Sequence, residues 1–385
     1  MLESKLPNVG TTIFSTMSAM AAEFGAINLS QGFPDFSPPT GLLEALNHAI
    51  QSDTHQYPPM IGIAPLREQI SHKIQDLYQV EVNPDTEITV TSGATEALFV
   101  AIQSIVRNGD EVIVFDPAYD AYEPAIELAG GRTIHLNLNT EFRIDWNQVE
   151  AAISVRSRAI IINSPHNPSA SVINADDLNQ LAVIAENHNL IVISDEVYEH
   201  MVFDGSSHHS VLSHKSLRPR SIAVFSFGKT YHATGWKIGY AVAPPNLTIE
   251  FRKVHQFVTF TSHSPSQFAL ADFMGSTPEH HRELSNFYQN KRDLFSSLIS
   301  DSKFKLLKSA GTYFQLADYS EIDSERTDVE FCEYLTKQVG IAAIPLSVFY
   351  ATPPDQSLIR FCFAKDDATL RTAAEKLCEL GHQSS

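Results

Sequence analysis

The sequence predicts an α/β protein: a three-layer sandwich around a mostly parallel mixed sheet, with a smaller α+β domain made from both chain ends. Three observations lead there. From about residue 41 to 285, short apolar runs alternate with segments of helical periodicity, the pattern of a parallel sheet covered by helices. Beyond 285 this alternation gives way to a long helix, two strands separated by a helix, and a closing helix. With 385 residues the chain also exceeds the size at which one core usually stops growing. Two domains are therefore expected, a large one at 41–285 and a small one combining 1–40 with 286–385.

Residues 1–40 read as irregular, rich in Pro and Gly around Gln31-Gly32-Phe33-Pro34-Asp35. The run Ile88-Thr89-Val90-Thr91 reads as a strand ending in Ser92-Gly93-Ala94-Thr95. Leu98, Ala101, Ile102, Ile105 and Val106 follow at helical spacing, until Asn108-Gly109-Asp110 turns the chain into a strand at 111–115. Ala159-Ile160-Ile161-Ile162 ends in Asn163-Ser164-Pro165-His166-Asn167-Pro168. A helix marked by Leu178, Leu181, Ala182 and Ala185 leads to Leu190-Ile191-Val192-Ile193, which ends in Ser194-Asp195-Glu196-Val197-Tyr198. Ile222-Ala223-Val224-Phe225 ends in Ser226-Phe227-Gly228-Lys229-Thr230. A strand at 237–243 follows too closely for a helical crossover, so it is predicted to run antiparallel. Strands at 312–316 and 358–363 and helices at 329–339 and 368–380 complete the chain.

Composition narrows the partners. The apolar fraction of 43% is that of an ordinary globular protein, and a net charge of −18 argues against nucleic acid and anionic membrane surfaces, which favour basic patches. That charge serves solubility. Cys332, Cys362 and Cys378 have neither an even count nor metal-ligand spacing, so reduced thiols, no metal and a cytoplasmic location are expected. The start, Met1-Leu2-Glu3-Ser4-Lys5-Leu6-Pro7, lacks a signal-peptide apolar core, and no stretch approaches a membrane span.

Four strand ends thus carry polar clusters. Ligands of open α/β sheets bind outside the carboxyl ends of the strands, so the four are expected to converge on one site. A lysine such as Lys229, at a strand end in apolar surroundings, can lose its proton near neutral pH and attack a carbonyl. A surface Gly-Lys-Thr turn is the alternative for this stretch alone. A nucleotide P-loop is excluded, because the glycine it needs five positions before Gly228 is Ala223. Ser92-Gly93-Ala94-Thr95 at a helix start offers free N–H groups to a phosphate, with Thr95 as a plain N-cap the alternative. Ser226 and Lys237 would add a hydroxyl and a cation. Asp195 at a buried strand end needs a cation or donor, and a protonated ring nitrogen meets that need. Asn167 and Tyr198 can donate to a ring oxygen. Tyr119, in Phe115-Asp116-Pro117-Ala118-Tyr119, either stacks on the ring or lines the core. A phosphate site, a ring-nitrogen acid, ring-oxygen donors and a Schiff-base lysine together describe pyridoxal 5'-phosphate.

The segments at 163–168, 195–198 and 226–229, with Lys237, resemble the fold type I, class I/II aminotransferases, and the resemblance runs nearly end to end. Asn28-Leu29-Ser30-Gln31-Gly32-Phe33-Pro34-Asp35-Phe36 and Ile359-Arg360-Phe361-Cys362-Phe363 are similar to the kynurenine aminotransferase and glutamine transaminase K branch. Ser226-Phe227-Gly228-Lys229-Thr230-Tyr231-His232 and Ile344-Pro345-Leu346-Ser347-Val348-Phe349 resemble the bacterial methionine aminotransferases.

The resemblance implies that Lys229 bears the cofactor and moves the proton. It pairs Asp195 with the ring nitrogen, places Asn167 and Tyr198 on the ring oxygen and stacks Tyr119 on the ring. Gly93, Ala94, Thr95, Ser226 and Lys237 would bind the phosphate, with Lys237 standing where the family often has arginine. Tyr57 would reach a phosphate in a neighbouring subunit of a homodimer, or else pack within its own chain. Arg360 would grip the substrate carboxylate, or else lie exposed on its strand; Gly32 would lie where the N-terminal segment covers the substrate, and Asn167 would also bind substrate. The implied reaction is transamination between a large neutral amino acid, methionine first and aromatics second, and a 2-oxo acid. A C–S β-lyase is the nearest alternative, and a non-catalytic binding module the alternative of another class. Phe260-Thr261-Ser262-His263-Ser264 carries no arginine for a distal carboxylate. Phe14, Phe33, Tyr57 and Phe260 would line an apolar slot or serve as ordinary core.

Overall fold

In the computed structural model, which describes residues 3–380, every predicted apolar run in the middle of the chain is a strand. After a two-residue strand β1 (Ile27–Asn28) come β2 (Ile88–Thr91), β3 (Glu111–Asp116), β4 (Arg132–Asn137), β5 (Ser157–Asn163), β6 (Ile191–Asp195), β7 (Ser221–Ser226) and β8 (Gly239–Val242). The last seven form one sheet in the order β2-β8-β7-β6-β5-β3-β4. Only β8 runs against its neighbours, as its short connection to β7 requires. β2, β5, β6 and β7 therefore end at the same edge, and their four polar clusters share it.

Successive residues of each strand feed opposite layers. Ile160 and Ile162 join a core with the helices Ala64–Tyr78, Ala175–Asn187 and Ser264–Ser276, whereas Ala159 and Ile161 join one with Ala94–Ile105, Tyr122–Leu128 and Pro245–Val258. Near-continuous apolar runs are what a sheet covered on both faces demands. Each fully buried Ile or Val adds about 1.5–3 kcal/mol.

The later strands are β9 (Lys305–Leu306), β10 (Phe314–Asp318), β11 (Ile341–Ala342), β12 (Ile344–Pro345) and β13 (Leu358–Cys362). β12-β13-β10-β9 form a four-stranded sheet, and β1 pairs in parallel with β11. A separate core joins these strands to Met17 and Leu29 from the N-terminal segment and to the helices His280–Leu298 and Asp367–Leu380. Residues 1–2 and 381–385 of the expected small domain lie outside the described residues.

Three expectations are corrected. Residues 1–40 are not irregular throughout: Ile13–Phe24 is a helix, capped by Thr12, whose hydroxyl accepts from the Ser15 N–H, and ended by Gly25 at φ 62°. Its stripe is only Met17 and Ala21, interleaved with Ser and Thr, too thin for periodicity to show. The strand expected at 312–316 begins at Phe314, because Thr312 adopts φ 64° and turns the chain. The strand expected at 237–243 shortens to β8, because Lys237 sits at φ 54°.

Gly239 shows how tightly the sheet closes at its polar edge. A Cβ there would lie 2.6 Å from the Phe225 carbonyl oxygen and 2.8 Å from the Ala94 nitrogen, both backbone. Gly239→Ala must push β7 or the 93–94 turn outward. We expect it to cost about 1–3 kcal/mol, read as a lowered urea midpoint with the far-ultraviolet circular dichroism retained. An unchanged midpoint would show that the contact is looser than described.

Candidate active site

A cavity of about 240 Å³ opens at the shared strand edge. Its wall contains Gly32, Gly93, Ala94, Thr95, Tyr119, Asn167, Asp195, Tyr198, Ser226, Lys229, Lys237 and Arg360, every candidate site residue except Tyr57. Tyr57 lies elsewhere, 85% exposed, its ring edge-on to Phe260 at 5.8 Å.

The β6 end is built to aim alternate side chains in opposite directions. Glu196 turns away from the cavity, accepting from the Ser194 hydroxyl (2.8 Å) and the Val211 N–H (3.1 Å) and pairing with His208 (2.8 Å). Glu199 is buried between Lys73 and the Tyr78 hydroxyl. These anchors leave Asp195 and Tyr198 facing the cavity. Asp195 is buried, and among the described residues no cation pairs with it. The Tyr122 hydroxyl donates to its Oδ2 at 2.7 Å and the Val197 N–H to its Oδ1 at 3.3 Å. Burial nevertheless raises its pKa from 3.8 to about 6.

Lys229 lies in the helical turn Phe227–Thr230, three residues beyond the β7 end. It keeps some exposure because its amine faces the cavity, yet it lies deep in the protein, and desolvation lowers its pKa to about 8. Its Nζ donates to the Gly32 carbonyl (3.0 Å) and the Tyr313 hydroxyl (2.8 Å). At the other end of the cavity, Gly93 precedes the helix Ala94–Ile105 with φ 81°, and a Cβ there would lie 3.4 Å from Lys237 Nζ. The helix N-terminus, Ser226 and the Lys237 ammonium thus surround one position.

Arg360, in the middle of β13, is buried over the Phe314 ring (3.8 Å). Its Nη1 donates to Asn167 Oδ1 at 2.6 Å and its Nη2 to the Ser30 carbonyl at 2.9 Å, while among the described residues its Nε has no partner. Burial lowers its pKa only to about 10, so it stays cationic at neutral pH. Because Arg360 takes the Asn167 carbonyl oxygen, the Asn167 amide faces the cavity as a donor.

Of the proposed apolar slot, only Phe14 reaches this wall. Phe33 packs beneath Lys365, whose Nζ lies 4.6 Å from the ring centroid. The sequence reading missed Tyr122 and Tyr313, which touch Asp195 and Lys229. Neither belongs to a strand-end cluster, and only tertiary folding brings them there.

The family model for aminotransferase class I and II matches residues 25–377. The chain belongs to the class I and II aminotransferases. It is 52% identical over 379 residues to the methionine aminotransferase of Escherichia coli, covering 98% of each chain. It is 33% identical to human kynurenine–oxoglutarate transaminase 1, covering 93% of each. A solved Escherichia coli structure, described as having a methionine aminotransferase function, superposes with a TM-score of 0.96 over 98% of this chain and 99% of that one, at 51% identity. The expected fold class is borne out, as is the family resemblance.

Aminotransferases of this family use pyridoxal phosphate. The cavity fits that group on its own chemistry. Asp195 is a buried carboxylate that lacks a cation, the Lys229 amine is within reach of the cavity, and the opposite end offers N–H groups, a hydroxyl and an ammonium to an anion.

The Asp195 carboxylate carries a measurable cost. Its folded pKa of about 6 exceeds the unfolded 3.8, so its favourable contribution is present below about pH 4 and is lost as pH rises through 6. At pH 7 the two-unit difference costs about 3 kcal/mol in cofactor-free protein. Asp195→Asn, which keeps an acceptor for Tyr122, is expected to raise the cofactor-free melting temperature at pH 7 but not at pH 4. Equal effects at both pH values would refute this.

Proposed function

We propose that this aminotransferase transfers the amino group of methionine, and less readily of aromatic amino acids, to a 2-oxo acid. The observation that carries the reading is the convergence of Lys229, Asp195 and Arg360 on one cavity, with apolar Phe14, Ile238 and Phe314 beside them. Identity to the Escherichia coli methionine aminotransferase supports the choice of substrate.

When bound, the cofactor supplies an aldehyde carbon that carries the amino group and a ring that accepts electrons. Asp195 would hold the proton on the ring nitrogen, and a cation beside it would lower its own pKa. The Asn167 amide and Tyr198 hydroxyl would donate to the ring oxygen, and Tyr119 would hold the ring from the cavity wall. Gly93, Ala94, Thr95, Ser226 and Lys237 would hold the phosphate. Arg360 takes the substrate carboxylate as a planar pair, which also satisfies its free Nε. Lys229 Nζ, neutral above about pH 8, removes the proton from the substrate α-carbon. Gly32 and the segment around it exclude water from this side.

Transfer is preferred over β-elimination because the relatives are transaminases by name. A non-catalytic module has no use for so complete a set of groups. We further propose that the seven-stranded and four-stranded sheets mark the large and small domains, divided near residues 41 and 285. The free thiols of Cys332, Cys362 and Cys378 support a cytoplasmic location. Among the described residues, no helix is long and apolar enough to cross a membrane.

A homodimer with shared sites is the remaining proposal. Exposed Tyr57 and Phe260 pack edge-on to each other off the wall of the chain's own cavity, and Phe257 on the same stretch of chain is exposed as well, a surface suited to a second copy. Tyr57 would then reach the partner's phosphate. Mixing Tyr57→Phe with Lys229→Ala protein should restore activity above either variant alone, since each mixed dimer contains one intact site. No restoration, or an active monomer in sedimentation, would exclude shared sites.

Among the cations on the cavity wall, Arg360 takes the α-carboxylate, and none remains for a distal one. kcat/KM should therefore rank methionine first, then phenylalanine and kynurenine, with aspartate lower by on the order of 100-fold. Aspartate leading the series would overturn the substrate assignment.

A further inference from the structure

Three groups form a closed triangle at the edge of the cavity, Gly32 and Lys229 lining its wall and Tyr313 buried behind them. Lys229 Nζ donates to the Tyr313 hydroxyl at 2.8 Å and to the Gly32 carbonyl at 3.0 Å, while the Tyr313 hydroxyl donates to the same carbonyl at 2.6 Å. We propose that Tyr313 is a further positioning residue of the reaction, which with the Gly32 carbonyl holds the Lys229 amine whenever it is not bonded to the cofactor and points its lone pair at the substrate. This deepens, and rests on, the reading of Lys229 as the cofactor-bearing lysine.

The geometry requires this orientation. A neutral amine has two hydrogens and one lone pair. The Tyr313 hydrogen is spent on Gly32, so toward Lys229 its oxygen can only accept. With both amine hydrogens directed to the Gly32 and Tyr313 oxygens, the lone pair faces the open side, which is the cavity. Tyr313 is fully buried, and burial pushes its hydroxyl well above the usual tyrosine range, so it stays neutral throughout turnover.

Two independent features show that the backbone is shaped to make this contact. Thr312, a β-branched residue, is held at φ 64°, a conformation such residues rarely adopt, by its N–H on the Met201 carbonyl (2.9 Å). Such strain persists where the surroundings impose it, and here it turns Tyr313 off the β10 line toward Lys229. On the opposite side, a Cβ at Gly32 would lie 2.7 Å from the Phe314 ring and 3.4 Å from the Tyr313 ring. Only glycine lets this carbonyl approach. The Tyr313 ring itself is fixed edge-on to Tyr198 at 5.1 Å and to Phe314 at 4.9 Å.

The other groups acting on Lys229 are Asp195 and Tyr198 from the β6 end, Lys237 from the turn before β8, and Cys362 and Arg360 from β13. Asp195 and Cys362 favour the ammonium, whereas Lys237 and Arg360 oppose it. Tyr313→Phe leaves all of these in place and keeps the ring. It removes one acceptor from the ammonium, which favours the neutral amine.

The test uses cofactor-free protein first. The pH dependence of Lys229 labelling by trinitrobenzenesulfonate, read by peptide mass spectrometry, should move down by about half a unit or more in Tyr313→Phe. Tyr288→Phe is the control: its ring lies 5.6 Å from Tyr313 but its hydroxyl contacts His232, so the titration should stay put. In the loaded enzyme, Tyr313→Phe should lower kcat about tenfold or more, with KM for methionine within about threefold. An unmoved titration, the same movement in Tyr288→Phe, or a loss carried by KM overturns the assignment. Failure of the underlying reading is seen separately, as wild-type protein in which borohydride traps no cofactor on Lys229.

Discussion

Removing Asp195 and Arg360 from water, with Lys229 opening only on the cavity between them, is the constraint on which the site depends. Each such group is costly unless something answers its charge. The protein answers them incompletely. Asp195 receives two hydrogen bonds and no cation, Arg360 keeps a free Nε, and Lys229 is held by neutral oxygens. The unanswered part of each group is what a ligand can complete, and ligand binding thereby recovers stability that the bare fold forgoes.

Holding such a site requires stiffness behind it. The seven-stranded sheet supplies that, with both faces buried and Glu196 and Glu199 tied into polar networks behind the β6 end. Those networks anchor the backbone that carries Asp195 and Tyr198, and the Glu196 charge adds to the upward push on the Asp195 pKa. Tyr122 is different, because its hydroxyl meets Asp195 directly while its ring packs edge-on to Tyr119 at 5.6 Å. One short helix therefore carries the donor that steadies the acid, adjacent to the ring that lines the cavity.

The N-terminal segment completes the enclosure through its carbonyls. Ser30 accepts from Arg360, Gly32 from Lys229 and Phe33 from Lys365 at 2.8 Å. Three oxygens within four residues thus face three cations that come from β13, the turn after β7 and the turn after β13. A displacement of this segment alters the hydrogen bonding of Arg360 and Lys229 together. Access to the cavity and the state of its reactive groups are linked in this way.

The parallel sheet, its antiparallel β8 and the four polar strand ends were legible in the sequence, because they are local patterns: apolar runs of strand length, each ending in a few residues of distinct chemistry. Lys229, Asp195, Asn167 and the 93–95 turn could be named for that reason. The helix Ile13–Phe24 could not, since its buried stripe is two residues wide and the partner core comes from the far end of the chain. Tyr313 and Tyr122 were equally hidden. A tyrosine in an aromatic-rich run reads as core, and only the folded chain brings it to Lys229 across 84 positions or to Asp195 across 73. By itself the sequence determined which strands form and what each presents at its end, since those depend on residues close in the chain. Tertiary structure alone decided which side chains meet across the cavity, because hydrogen bonds depend on distances of a few ångströms between segments far apart in sequence.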